Sequence, residues 1–180
     1  MIIGSEGGFN GRPVYLSAGA MKKSREKDLL RMGDYDALKL ENQLCFPLYA
    51  AARKVVNMYS PLLKPLGLTY TQYIVFLVLW EKDGVSVGEL CKKLRLDNGT
   101  LTPLLKKMED AGWVVRTRSR EDERRVTVRL TQRGNALKER AVDIPAKAGS
   151  CVRLTQEDAA ALYRLLYQIL NSEESDSKTG

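Results

Sequence analysis

Between Ser86 and Leu130 the apolar positions follow first one period and then another, which predicts two short helices followed by a two-stranded hairpin. Val87, Leu90, Cys91 and Leu94 fall at i, i+3, i+4 and i+7, a single buried helical stripe. Ser86 precedes them with Glu89 three residues on, the pattern in which two side chains satisfy orphan backbone N–H groups at a helix start. A second stripe follows at Leu101, Leu104, Leu105 and Met108, with Asp97 or Asn98 as N-cap candidate and Gly112 as the left-handed stop. After Trp113 the period shortens to two. Val126, Val128 and Leu130 alternate with Arg125, Thr127 and Arg129, so a half-buried strand is expected, paired with Val114 to Thr117. The segment from Arg118 to Arg124 becomes a solvent-facing tip.

Periodic patterns flank this stretch on both sides. Leu40 to Ser60 reads as a helix with two adjacent apolar rows, Leu44, Leu48, Ala51 and Val55 beside Cys45, Tyr49, Ala52, Val56 and Tyr59. Pro47 interrupts this pattern, so the helix either begins near Leu44 with proline in its first turn or is kinked there. Thr69 with Gln72 repeats the capping box ahead of the nearly unbroken apolar run Tyr73 to Trp80, which is expected to be the central buried helix. Thr131 to Val142 reads as helical, Ile144-Pro145 with Gly149 as a break, and Thr155 as the cap of a last helix bearing Ala159, Leu162, Leu166 and Ile169. The expected class is mainly α with a small β-hairpin wing. Its expected parts are an N-terminal tail (1–33), a helical dimerisation region (34–62 and 131–171), a winged helix-turn-helix (63–130) and a C-terminal tail (172–180). Residues 1–33 hold six of the fourteen glycines and show no sustained period, which is the basis for reading them as a disordered tail.

Charge gives the second predicted helix a purpose. Its off-stripe positions Thr100, Thr102, Pro103, Lys106 and Lys107 form a face of hydroxyls and ammonium groups suited to base edges and phosphates in a major groove. Residues 86–130 carry eleven Lys or Arg against seven Asp or Glu, so a net +4 of the chain's +7 lies in a quarter of its 180 residues. Charge concentrated in this way favours a polyanionic partner. The plain alternative is a structural or protein-binding helix pair with solvated charges. The terminal helical regions are too apolar to bury themselves in one small chain, and a two-fold homodimer would bury them while presenting two reading helices to half-sites about one turn apart.

Composition mainly excludes. The chain has no histidine, which removes histidine bases and the usual zinc sites and leaves cysteine as the most plausible reactive side chain. The three cysteines, Cys45, Cys91 and Cys151, are widely spaced and odd in number, unlike a secreted disulfide framework. No apolar run reaches transmembrane length and the N-terminus lacks a signal-peptide pattern, so a cytoplasmic protein without cofactor or metal is expected.

The segments LENQLCFPLYAAAR, LGLTYTQY, LDNGTLTPLLKKMEDAGW and SREDERRV together resemble the MarR-type winged-helix regulators, and among them the OhrR-type organic-hydroperoxide sensors with two cysteines. The resemblance covers about Leu40 to Leu170. It implies that the Thr100 to Lys107 helix enters the major groove of operator double-stranded DNA, and that Asp122 orients the arginine of the wing. Arg118, Arg120 or Arg124 would then reach a narrow minor groove. Asn98 stands where the family pattern has serine. The resemblance also makes Cys45 the peroxide-reactive thiol, with Tyr59 and Tyr70 as hydrogen-bond donors to it. Tyr49, one turn along, packs beside the site, and Cys151 is the resolving thiol.

Cys45 and Tyr59 share a helix face, but fourteen residues at 1.5 Å rise place them about 21 Å apart. A bond between them has to cross between subunits, the arrangement that the resemblance implies. Cys91, on the stripe of its own helix, reads as core, and Tyr163 and Tyr167 as packing in the dimer. The expected function is therefore a repressor, not an enzyme, released from DNA on oxidation of Cys45. Its rivals are a MarR-type repressor that binds a small phenolic or apolar ligand without redox chemistry, and a thiol peroxidase.

Overall fold

A computed structural model describes residues 35–118 and 126–172. The expected tails and three expected wing residues, Arg120, Asp122 and Arg124, lie outside the described residues, apart from Ser172. The chain packs as two compact units, one ending at Asn57 and the other beginning at Met58.

In the first unit, short 3-10 turns at Asp36–Leu38 and Leu40–Asn42 precede helix α1, Cys45–Leu63, which continues into the second. The helix expected from Leu40 to Ser60 therefore starts five residues later and ends three residues later. Pro47, the third helical residue, explains the start, since a proline in the first turn gives up only an N–H that has no helical partner. At the other end the helix continues through Pro61, forgoing one interior hydrogen bond.

The second unit is built around helix α2, Tyr70–Glu81, whose residues are apolar on nearly every side. Val75 and Phe76 are fully buried, as expected of a helix with no polar face. Its Thr69–Gln72 capping box is formed in both directions. Helix α3 is Val87–Leu94, opened by the Ser86–Glu89 box, and helix α4 is Asn98–Asp110. Asp97, not Asn98, is the α4 cap, its carboxylate accepting from the Thr100 N–H at 2.8 Å.

The sheet has three antiparallel strands in the order β1-β3-β2, with β1 Val85–Ser86, β2 Val114–Arg118 and β3 Val126–Leu130. The register runs from Val114 opposite Leu130 to Arg118 opposite Val126. The two strands pair as expected, except that Arg118, expected in the tip, is the last residue of β2, whereas the two-residue strand β1 is too short to leave a period.

Helices α5 (Gln132–Ala141), α6 (Ile144–Ser150) and α7 (Gln156–Asn171) complete the chain. The break expected at Ile144-Pro145 is instead the start of α6, where proline in the first turn is tolerated. The core gathers Phe76 and Leu79 of α2, Leu90 of α3, Leu101, Leu105 and Met108 of α4, Val128 of β3 and Leu137 of α5. Gly134 lets α5 approach the turn that follows α4. A Cβ there would lie 2.0 Å from the Trp113 carbonyl oxygen, and the Trp80 indole N–H donates to the Gly134 carbonyl. No single helix among the described residues is long and apolar enough to cross a membrane.

Candidate nucleic-acid interface and reactive thiols

The stripe of α4 fixes what its other side can do. Leu101, Leu105 and Met108 are fully buried, which turns Asn98, Thr102, Pro103, Lys106 and Lys107 into solvent along with Thr100. Two of these side chains are partly engaged. The Thr100 hydroxyl donates to Asp97 at 2.8 Å, so toward a ligand it is free only to accept. The Asn98 side-chain oxygen accepts from the Cys91 thiol at 3.3 Å. The same Thr100 bonds favour the Asp97 carboxylate and lower its pKa. Pro103 is the sixth helical residue, so it removes one interior hydrogen bond and presents its ring on the exposed face.

Beside this face a groove of about 780 Å³ runs between α4 and the strands, lined by Ser86, Asn98, Thr102, Glu109, Arg116 and Arg118 among others. Arg118 is exposed at the end of β2. Arg116 is held. Its backbone N–H donates to Glu109 at 2.9 Å, and its Nε and Nη2 donate to the second carboxylate oxygen at 2.9 and 2.7 Å. That pairing holds the Glu109 pKa below the ordinary carboxylate value.

Cys45, Cys91 and Cys151 are all free thiols, Cys45 and Cys151 exposed and Cys91 half-buried against the core. Cys45 opens α1, the helix that carries Tyr59 near its end. In the second unit Tyr59 meets Tyr70 edge-on at 5.1 Å between ring centroids and Tyr73 at 5.9 Å. Burial first, and the neighbouring Tyr59 second, push the Tyr70 phenol pKa up, so this group stays a hydrogen-bond donor at neutral pH. Rings continue from Tyr73 to Trp80, Phe76 and Trp113, the residue that follows the reader helix and its turn. In the first unit, Arg53 lies over the Tyr49 ring at 5.5 Å. No cluster of His, Cys, Asp or Glu suited to a metal occurs among the described residues.

Arg95 makes a long-range bond with no sequence signal. It ends α3 in the left-handed region at φ 51°, a strained conformation for a residue with a side chain. Its guanidinium donates to the Leu170 carbonyl and the Asn171 side chain, each at 2.8 Å, which ties the reader to the end of α7. A separation of 75 residues hides such a pair from any local pattern.

Residues 57–141 match the family of SarA/Rot transcriptional regulators. An organic hydroperoxide resistance transcriptional regulator of Bacillus subtilis is 47% identical over 138 residues, covering 77% of this chain and 94% of the relative. The chain belongs to the MarR-type winged-helix regulators. The structure of reduced AbfR bound to DNA, from the Staphylococcus epidermidis protein, is similar at 33% identity with a TM-score of 0.61, over 72% of this chain and 90% of that one. MarR itself shares the fold at 24% identity and a TM-score of 0.60, over 75% of this chain and 92% of that one. These winged-helix relatives are transcriptional regulators, not enzymes, which removes the peroxidase reading.

Proposed function

We propose that the chain is a homodimeric repressor that binds operator double-stranded DNA when reduced and releases it when an organic hydroperoxide oxidises Cys45. The observation that carries the first half is the exposed α4 face beside an arginine-bearing wing. Asn98, Thr100, Thr102, Pro103, Lys106 and Lys107 contact base edges and phosphates in the major groove. Arg118, with Arg120 and Arg124 beyond it and Asp122 orienting them, addresses the minor groove. Residues 63–130 form this reader, and 34–62 with 131–171 form the dimer. The exposed apolar side chains of α7, including Leu162, Leu165 and Ile169, support a second copy as the surface that covers them.

The redox half rests on the 47% identical hydroperoxide regulator and on the Tyr59–Tyr70 pair. Along one helix, fourteen residues rise about 21 Å, so the phenols that meet Cys45 are the partner subunit's Tyr59 and Tyr70, with Tyr49 lining the same pocket. The Cys45 thiolate attacks the distal oxygen of the hydroperoxide, and the O–O bond breaks. Cys45 becomes a sulfenic acid, and the alkoxide leaves as an alcohol after taking a proton. The partner subunit's Cys151 thiol then condenses with the sulfenic acid to a disulfide, releasing water. A disulfide requires Cα atoms within about 7 Å, so any wider starting gap closes by moving helices, which alters the spacing of the two readers.

An operator-binding assay with and without cumene hydroperoxide, on wild type, Cys45→Ser and Cys151→Ser, tests the reading. Wild type should lose the operator and Cys45→Ser should keep it. Release of Cys45→Ser by the same oxidant would remove the redox reading.

A further inference from the structure

An acidic residue in the last turn of a helix opposes the helix dipole, yet α4 ends on Glu109 and Asp110. A local rule broken in this way calls for a compensating interaction, and for Glu109 that interaction is with Arg116. Strand β2 is an edge strand, since β3 is its sheet neighbour and nothing follows it in the strand order. The Arg116 N–H turns out of the sheet, where Glu109 covers it, and the guanidinium of the same residue is held by two further bonds. One carboxylate thus fastens both the backbone and the side chain of β2 to the end of the reader helix. Arg118, two residues along, lies on the same face of the strand as Arg116 and lines the same groove as Thr102 and Asn98.

We propose that Glu109 is a positioning residue for DNA recognition: clamped on Arg116, it fixes the angle of β2 against α4, so that Arg118 and the major-groove face engage one half-site together. Glu109 itself does not touch DNA, because both of its carboxylate oxygens are taken up by Arg116. This rests on the DNA-binding reading above.

The clamp and bulk electrostatics differ in sign. Glu109→Gln raises the chain's net charge above +7, which by charge alone strengthens binding to a polyanion. With the clamp broken, binding should instead weaken by about tenfold, the scale on which a single groove interaction acts. The slope of log affinity against log salt should also fall by about one for each phosphate that the wing no longer neutralises. Arg116→Lys keeps the charge but not the two-bond fork, so it should weaken binding to the same extent.

Each variant is to be measured, as the full chain, on a duplex selected from a random library against the wild type, with hydroxyl-radical footprinting and a thermal melt alongside. The expected result is a footprint shortened on the wing side, with the major-groove part retained and the melt cooperative. Tighter or unchanged binding by Glu109→Gln with a full footprint overturns the clamp, as does full affinity in Arg116→Lys should Glu109→Gln fail to melt cooperatively. A wild type that selects no duplex overturns instead the DNA-binding reading beneath it.

Discussion

Helices α4 and α7 are built alike and meet different fates. Each opens on a side-chain cap, Asp97 for one and Thr155 for the other, and each carries an apolar stripe at helical spacing. In α4 that stripe is consumed by the chain's own core, with Leu101, Leu105 and Met108 at 0% exposure. In α7 no residue is buried, and Leu162, Leu165, Ile169 and Leu170 stay 42 to 48% exposed. Caps and periodicity are enough to specify a helix, but burial needs a second surface, which the reader finds within its own chain. The two regions therefore differ in what covers them: the stripe of α4 is buried by its own chain, and that of α7 is left exposed.

The strongest blow to the self-sufficient region should fall at Gly134. Gly134→Val places carbon where 2.0 Å already separates a Cβ from the Trp113 carbonyl oxygen, and overpacking against backbone should cost about 3 kcal/mol or more. Urea unfolding with an unchanged midpoint would show that α5 can simply lift away. Next, Leu105→Ala should cost about 3 kcal/mol at any protein concentration, whereas Leu165→Ala should cost under about 1 kcal/mol in dilute protein and more as dimer accumulates. Equal and concentration-independent losses at both sites would erase the contrast.

Thr155→Ala removes the hydroxyl that accepts from the Asp158 N–H and should destabilise by about 1 kcal/mol, chiefly fraying α7 and leaving the reader's amide exchange protection intact. The smallest effect concerns pH. The folded pKa of Asp97 is depressed by its bonds to Thr100, so its contribution is present above the unfolded value and lost as pH falls through the folded one. The melting difference between wild type and Asp97→Asn should therefore shrink steadily below about pH 4. A constant difference down to pH 2 would place the stabilisation in geometry, not charge.

What could be read from the sequence follows the same division. The stripes of α3 and α4, their caps and the exposed face of α4 were legible because helix spacing and capping are local chemistry. Strand β1 was not, because two residues leave no period and exist only through pairing with Thr127 and Val128. The start of α1 turned on whether Pro47 lay in a first turn, which the pattern alone left open, and Pro145 with Gly149 gives the pattern of a break where the structure has helix α6. The Arg95 bonds to α7, the Glu109 clamp on Arg116 and the Cys91 bond to Asn98 arise from folding, not from spacing. The roles proposed for Cys45 and Cys151 rest on resemblance alone, since a thiol leaves no periodic signature.

The most direct test of a shared site built from two open flanks is a mixing experiment. Cys45→Ser chains and Cys151→Ser chains are unfolded together, refolded as a mixture and treated with cumene hydroperoxide, then run on a non-reducing denaturing gel. Neither variant alone should form a cross-linked dimer through the Cys45–Cys151 bond. The mixture should, because only the mixed dimer pairs an intact Cys45 with an intact Cys151 across the interface. A mixture that stays monomeric on the gel, while oxidised wild type also runs as a monomer, would contradict the intersubunit bond on which the proposed redox switch depends.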